Sequence, residues 1–403
     1  MMNREVVIVG GGPAGMLMGL LLAKEKIQVT VLEKNTTFNR DFRGETIAPG
    51  SVFLLKKLGV FKALEEHGFI KVQKIKMYDR EEKLFSVNFD DFNHPQKFGI
   101  DIPQPVVLEA LKQKASSYPN FEYIHGATCT DLIKDGEKVV GIRYSKEKEE
   151  HQIKCRLVIG AEGRFSRLRT LGHFAVEKKE FSRDLIWFKV PKPEGWEEGN
   201  LIKVYKHDHV IILPTYPNDL RVGTYIYLGG NRETKAKGIA AFIDKVCMIE
   251  PRLREPMEKH IKSWDDTTLL KIFTAHVDQW AKDGLILIGD AAHTLSPILG
   301  QGVNIAMQDA FELLPYVNSG LKTYEGPLPA HHFDDYISKR KKQVSFVAGF
   351  QERQEQNLAA STPFQCMLRK VKMKLLDKAP FKIKVMKKLQ YGVVANETTE
   401  GLT

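Results

Sequence analysis

The sequence predicts an α/β fold: a parallel-sheet domain assembled from three separated stretches, an antiparallel sheet inserted among them, and a helical C-terminal segment. Three observations carry this expectation. The chain opens as strand, glycine turn, helix, strand, which is a βαβ unit. A buried-type strand, Leu285-Ile286-Leu287-Ile288, returns far downstream with a second glycine turn and a helix behind it. Between them, from about 178 to 275, short strands alternate with Pro, Gly, Asn and Asp turns in the manner of an antiparallel meander. The boundaries expected are 1–75, 100–175 and 280–335 for the parallel-sheet domain, 76–99 and 176–279 for the inserted sheet, and 336–403 for the C-terminal segment.

Each element has its own signal. Glu5-Val6-Val7-Ile8-Val9 is a β-branched run, the turn Gly10-Gly11-Gly12-Pro13-Ala14-Gly15 follows, residues 16–26 are helical in composition, and 28–33 form a second strand. Residues 51–66 read as helix, as do 106–117, where Val107, Leu108 and Leu111 keep helical spacing. Strand signals recur at 121–124, 139–144 and 153–159, then in the inserted sheet at 185–190, 201–205, 210–213 and 220–228. A helical stretch near 235–260 precedes the returning strand, and a helix is expected from about 302 to 316.

Charge is distributed unevenly. The 403 residues carry 60 Lys and Arg against 50 Asp and Glu, a net +10, with 43% hydrophobic and 27% charged residues. Residues 366–392 hold nine bases (Arg369, Lys370, Lys372, Lys374, Lys378, Lys382, Lys384, Lys387, Lys388) and one acid, Asp377. The remainder is nearly neutral, which argues against a diffusely basic nucleic-acid-binding body. Cys129, Cys155, Cys247 and Cys366 lie far apart, with no CxxC pair and no Cys/His cluster. Neither a metal site nor a disulfide framework is expected, and a reducing cytoplasm suits them. Only residues 6–23 mimic a membrane span or signal peptide, and Gly10, Gly11, Gly12 and Pro13 interrupt them.

The first motif is a dinucleotide fingerprint on a Rossmann-like unit. Gly10 permits the tight turn, Gly12 lets backbone approach a pyrophosphate, and Gly15 lets helix pack on sheet. The helix start at Pro13 and Ala14 presents N–H groups and partial positive charge to phosphates. Glu33, 18 residues past Gly15, ends the next strand, where it can accept hydrogen bonds from a ribose; Lys34 follows it. Two further segments complete the pattern: Gly160-Ala161-Glu162-Gly163-Arg164-Phe165-Ser166 after a strand, and Gly289-Asp290-Ala291-Ala292-His293 followed by Pro297-Ile298-Leu299-Gly300-Gln301-Gly302-Val303-Asn304.

Together these segments resemble, over roughly residues 4–345, the single-component FAD-dependent monooxygenases, the aromatic (class A) hydroxylases of the para-hydroxybenzoate hydroxylase type. The resemblance implies a flavin-binding domain of the GR2 type and assigns residues in it. Asp290, after Gly289, matches the aspartate that bonds the ribityl chain. Gly300, Gly302, Val303 and Asn304 match the turn whose amides meet the isoalloxazine carbonyl. Pro297 matches the proline beside flavin and substrate, so Pro297 and Gly300 are the candidate catalytic positions. Arg43 matches the arginine that reaches the pyrophosphate and Gln104 the glutamine near the ribityl chain. Glu162 stands where the family usually has aspartate, so its pairing with Arg43 is expected to shift. His293 belongs to the turn and is expected to bond structurally, while His207 and His209 are expected to be solvated.

By the same resemblance, NADH or NADPH reduces the flavin, O2 adds to it, and the flavin hydroperoxide hydroxylates an aromatic substrate that is phenolic, quinone-like or polycyclic. No second nucleotide fingerprint is present, so the nicotinamide is expected to bind transiently in a groove. Trp187, Tyr205, Tyr216, Tyr225 and Tyr227 are the candidate substrate-pocket residues, with Tyr225 and Tyr227 on one face of their strand. The alternative for that face is a packed core. Rival readings are a flavin reductase without oxygen insertion, an antibiotic-inactivating monooxygenase and a halogenase; Trp187-Phe188-Lys189-Val190-Pro191 does not satisfy the W-x-W-x-I-P pattern of the last. In the basic tail, Leu368, Val371 and Leu375, then Phe381, Val385 and Leu389, recur at helical spacing around Pro380. Two short amphipathic helices are expected, their apolar faces docked on the enzyme body; peripheral contact of residues 366–392 with an anionic membrane is the alternative.

Overall fold

The N-terminal segment organises two sheets at once. In the computed structural model, which describes residues 2–38, 46–197 and 199–397, the strand Met2–Asn3 pairs with Ile153 and Lys154, and Val6–Val9 pairs with 157–160. The single strand expected over 153–159 is therefore two. Glu149–Lys154 belongs to a four-stranded sheet and Leu157–Gly160 to the central parallel one, with the chain crossing between them at Cys155-Arg156. The central sheet has six strands in the order Ala281–Lys282, Leu285–Leu287, Leu157–Gly160, Val6–Val9, Val29–Glu33, Phe121–His125. All but the first are parallel. The central strands Val6–Val9, Val29–Glu33, Leu157–Gly160 and Leu285–Leu287 are buried along their whole length, which is why they read as unbroken Val, Ile and Leu runs rather than as alternation.

Helices cover this sheet. Pro13–Lys24 starts earlier than its composition indicates, since proline suits the first helical turn. The expected helix at 51–66 is broken at Gly59, φ +66, into Pro49–Lys57 and Phe61–His67. Gln301–Thr323 outruns its expected end, carrying Pro315 in its interior, because Leu313, Val317 and Gly320 continue the buried face.

The second large sheet has seven strands, ordered Thr267–Leu270, Arg183–Pro191, Asp219–Tyr227, Asp208–Thr215, Asn200–Tyr205, Lys74–Asp79, Glu82–Asn88. It is antiparallel except where Asn200–Tyr205 meets Lys74–Asp79. One face packs under the helices Gly238–Cys247 and Arg254–His260. The other meets the Pro297–Gly300 turn and the C-terminal helices. No disulfide forms among the four cysteines, and burial pushes the thiols of Cys129 and Cys155 up to about 12. Among the described residues, no helix is long and apolar enough to cross a membrane.

The tail forms two helices, Pro363–Lys378 and Lys382–Tyr391. The second docks inward, but by a shifted face: Leu389 is buried as expected and Val385 is half-buried, while Phe381 is exposed and Met386 and Tyr391 are buried in its stead against the Pro49–Lys57 region, with Tyr391 Oη donating to Gln96 O at 2.7 Å. The first docks by the opposite face from the one expected. Arg369 and Met373 point inward, while Leu368, Val371 and Leu375 are exposed. The reason is polar: Lys370 and Lys374 pair with Glu82, and Ser86 N donates to Asp377 Oδ1, which fixes the helix rotation.

Candidate active site

At the first glycine turn a side chain would meet very different surroundings at each position. Gly10 has φ +109, and a Cβ there would lie 2.4 Å from Ala161 O; at Gly15 it would lie 1.9 Å from Gly10 O. These two glycines are required by the fold itself. At Gly12 nothing lies nearer than Ala161 O at 4.0 Å, so this position borders open space. The helix behind it, with Pro13, Ala14 and Gly15 in its first turn, has no side-chain cap, leaving its first N–H groups to an anion. Glu33 locks the turn: its Oε2 accepts from Gly11 N at 2.8 Å and its Oε1 from Asn35 N at 2.9 Å. Lys34 is exposed beside it. A cleft of about 550 Å³ opens along this edge, lined by Phe38, His67, Val106, Lys112, Tyr123 and His125 among others.

The second turn is held by a residue the motif analysis missed. Asp309, fully buried, accepts from Gly289 N at 2.8 Å and from His293 Nε2 at 2.6 Å, and pairs with Arg340 Nη2 at 2.7 Å. Burial alone would raise its carboxyl, but His293 and Arg340 beside it hold it down at about 2. His293 thus has the structural bond expected of it. The turn carries Asp290 outward, where Arg164 Nε approaches its Oδ2 at 3.5 Å and a Cβ on Gly302 would sit 3.9 Å from its Oδ1.

Between this turn and the long helix the backbone is left-handed twice in succession, at Leu299 (φ 65) and Gly300 (φ 61). Buried amides hold the segment from both sides. Gln351 Nε2 donates to Ser296 O and Ile298 O at 2.9 and 2.7 Å. Asn304 Nδ2 donates to Gly300 O and Thr46 O, and its Oδ1 accepts from Ala48 N at 2.8 Å. Pro297, Gly302 and Val303 are half-buried along the same stretch, and Gly300 supplies no side-chain cap to the helix. The two uncapped helices, Pro13–Lys24 and Gln301–Thr323, pack against each other. Gln104 is buried at the first turn of Gln104–Ser116. Glu162 turns its carboxylate back onto the next helix, accepting from Ser166 Oγ at 2.7 Å and Leu168 N at 2.8 Å. Arg43, its expected partner, lies outside the described residues.

Across from Pro297–Gly300 the seven-stranded sheet contributes Trp187 and Tyr225, which share one apolar cluster with Leu185, Ile298, Leu299 and Leu358. The other pocket candidates are elsewhere. Tyr205 lies against the opposite face, its hydroxyl accepting from Arg80 Nη2 at 2.5 Å. Tyr227 shares a strand face with Tyr225 but extends past the cover and is 70% exposed. Tyr216 packs over Gly68 and His67, tying the sheet to the α/β part. His209, expected in solvent, is buried instead; burial, and then the charges of Arg183 and Arg369, hold it well below the usual histidine range and so neutral. It stacks at 4.3 Å on Tyr225, which the Arg183 guanidinium also covers, and Arg183 pairs with Glu355 at 2.8 Å. Tyr225 Oη and His209 Nε2 are buried without a hydrogen-bond partner among the described residues.

A family model described as an FAD binding domain matches residues 3–347. The chain belongs to this family. It is 26% identical over 393 residues to the 6-methylpretetramide 4-monooxygenase of Streptomyces rimosus, covering 97% of this chain and 93% of that one. It is 24% identical over 344 residues to a 1H-pyrrole-2-carbonyl-[peptidyl-carrier protein] brominase of Pseudoalteromonas luteoviolacea, covering 82% and 81%. In fold it is similar to P. aeruginosa PqsL in complex with 2-aminobenzoylacetate, with a TM-score of 0.79 at 17% identity, covering 91% of this chain and 99% of that one. The described residues fit an FAD: Gly12, Gly163, Gly300 and Gly302 leave room where a Cβ would intrude, and two helix N-termini lack caps of their own. Sequence reasoning overlooked Asp309, Arg340, Gln351, Arg183 and Glu355. A lone acid in the apolar helical run around Ala306-Met307-Gln308-Asp309-Ala310 was the one available signal.

Proposed function

We propose that this chain is an FAD-dependent monooxygenase that uses NADH or NADPH and O2 to hydroxylate a phenolic, quinone-like or polycyclic aromatic molecule. The observation that carries the reading is the packing of two helices without side-chain caps, Pro13–Lys24 and Gln301–Thr323, around the Gly289-Asp290 turn, with Ile298 and Leu299 just before the second helix in one cluster with Trp187 and Tyr225. The names of the relatives, a 6-methylpretetramide monooxygenase and a protein bound to 2-aminobenzoylacetate, support a small aromatic substrate. In this reading residues 1–75, 100–175 and 280–335 form the flavin-binding domain, and 76–99 and 176–279 the substrate-facing one.

When bound, the flavin accepts hydride and activates O2, and the protein supplies placement and electrostatics. Gly10, Gly12, Pro13, Ala14 and Gly15 would hold the diphosphate, with Glu33 at the ribose, Lys34, Arg43 and Gln104 nearby and Glu162 behind. Asp290, after Gly289, would take the ribityl hydroxyls. The amides of Gly300, Gly302 and Val303, braced by Asn304, would meet the ring system, where a helix N-terminus favours negative charge. Trp187, Ile298 and Leu299 keep water from the reacting face. Tyr225 Oη offers a hydrogen bond to an oxygen of the substrate. The test is a screen of aromatic compounds for those that accelerate NAD(P)H oxidation by the flavin-loaded protein, with products weighed by mass spectrometry. A product bearing one added oxygen supports the reading; oxidation that yields only hydrogen peroxide with every compound overturns it.

A further inference from the structure

The Pro363–Lys378 helix presents a second apolar face that the enzyme body does not cover. At about 100° per residue, Phe364, Met367, Leu368, Val371 and Leu375 fall on one side of this helix, opposite the buried Met373. These five side chains and Phe381 beyond the helix end are 38% to 67% exposed. The helix is well anchored beneath them. Thr362 and Gln365 form a capping box, Arg369 Nη2 donates to Lys206 O at 2.7 Å, and Lys370 and Lys374 pair with Glu82. Its rotation is therefore fixed by the body, and the apolar stripe is what that rotation leaves outward.

On the edge where Lys370 and Lys374 lie, charge is matched by Glu82; the other charges of the segment that stay outward are positive. Lys372, Lys378 and Lys384 are exposed and make no ion pair among the described residues. The only acid in 366–392, Asp377, is turned inward onto Ser86 N and Lys382 Nζ. A second copy of this chain placed on the stripe by a two-fold axis would bring lysine against lysine. An anionic lipid surface matches both features at once, taking the apolar side chains into the acyl boundary and the lysines at the headgroups.

We propose that the outward face of Pro363–Lys378, continued by Phe381, seats the enzyme on the surface of an anionic bilayer. The inference does not depend on the reaction catalysed. Full-length, flavin-loaded protein is co-sedimented with phosphatidylcholine vesicles and with vesicles containing about one third phosphatidylglycerol, at low and high salt. Binding is expected on the anionic vesicles and should fall as salt rises. The triple variant Leu368→Asn, Val371→Asn, Leu375→Asn should bind at least tenfold more weakly while keeping its flavin spectrum and thermal midpoint, since these residues face outward. Lys372→Gln and Lys378→Gln should each weaken binding about fivefold, the factor that about 1 kcal/mol per lysine gives. Wild-type protein that stays in the supernatant, or a triple variant that binds like wild type, overturns the proposal. So does a wild-type dimer in sedimentation velocity that the triple variant dissolves, which would assign the face to a second copy.

Discussion

Gly10, Gly12 and Gly15 share one turn, yet substitution should separate them cleanly. Alanine at Gly10 or Gly15 forces a methyl group into backbone oxygen at 2.4 or 1.9 Å, so both variants should lose folded protein. Gly12→Ala has room to fold, and should stay soluble with a wild-type circular dichroism spectrum while binding FAD at least tenfold more weakly. Asp309 makes a second residue-scale case. Asp309→Asn leaves Arg340 buried without its charge partner, which costs about 3–5 kcal/mol. The wild-type carboxyl sits at about 2 against an ordinary 3.8, so the folded state binds protons less readily than the unfolded one. Its contribution, roughly 2 kcal/mol, is complete above pH 4 and fades as pH falls toward 2. Urea midpoints of wild type and Asp309→Asn should therefore converge through that window. Tyr225→Phe removes a buried hydroxyl with no partner among the described residues, so it should leave stability unchanged or raise it. In the same variant the KM for a substrate that bonds the hydroxyl should rise about tenfold, roughly 1.4 kcal/mol. A Tyr225→Phe enzyme that loses stability but keeps its KM would assign the hydroxyl to the fold instead.

Elements were legible where burial is uniform and obscure where packing arbitrates. The strands at Val6–Val9, Val29–Glu33 and Leu285–Leu287 are buried on both faces, so composition alone marks them. The run at 153–159 is equally apolar, but which sheet each half joins depends on Met2–Asn3 and Val6–Val9, a long-range pairing with no local signature. In the Pro363–Lys378 helix two apolar faces compete, and periodicity pointed to the larger. Glu82, nearly 300 residues upstream, selects the other by pairing Lys370 and Lys374. In the Lys382–Tyr391 helix the pattern was kept only in part: Leu389 is buried, but Met386 and Tyr391 join it while Phe381 stays exposed. Its anchor, Tyr391, is fully buried against Gly50 and Gln96. Tyr391→Ala should therefore cost about 3–5 kcal/mol, measurable as a lowered unfolding midpoint, whereas Leu375→Ala on the exposed face should cost little.

For the molecule as a whole, the cofactor end was readable because phosphate binding imposes glycines and helix starts at fixed spacing. The proposed substrate side was not, because an aromatic residue on a strand looks the same whether it faces the flavin-binding part, the far side or solvent. Trp187 and Tyr225 were placed beside Ile298 and Leu299, Tyr205 behind the sheet and Tyr227 in water, all by the twist and cover of the seven-stranded sheet. What unites the two ends is the Asp334–Leu358 helix, whose Arg340, Gln351 and Glu355 brace in turn the Asp290 turn, the Pro297–Gly300 segment and the sheet. That arrangement suits oxygen insertion at a shielded site. Its most direct test is turnover of an accepted aromatic substrate with a reduced nicotinamide under isotopically labelled dioxygen. One labelled oxygen atom is expected in the product; unlabelled product, or labelled hydrogen peroxide with unchanged substrate, would rule out oxygen insertion by this enzyme.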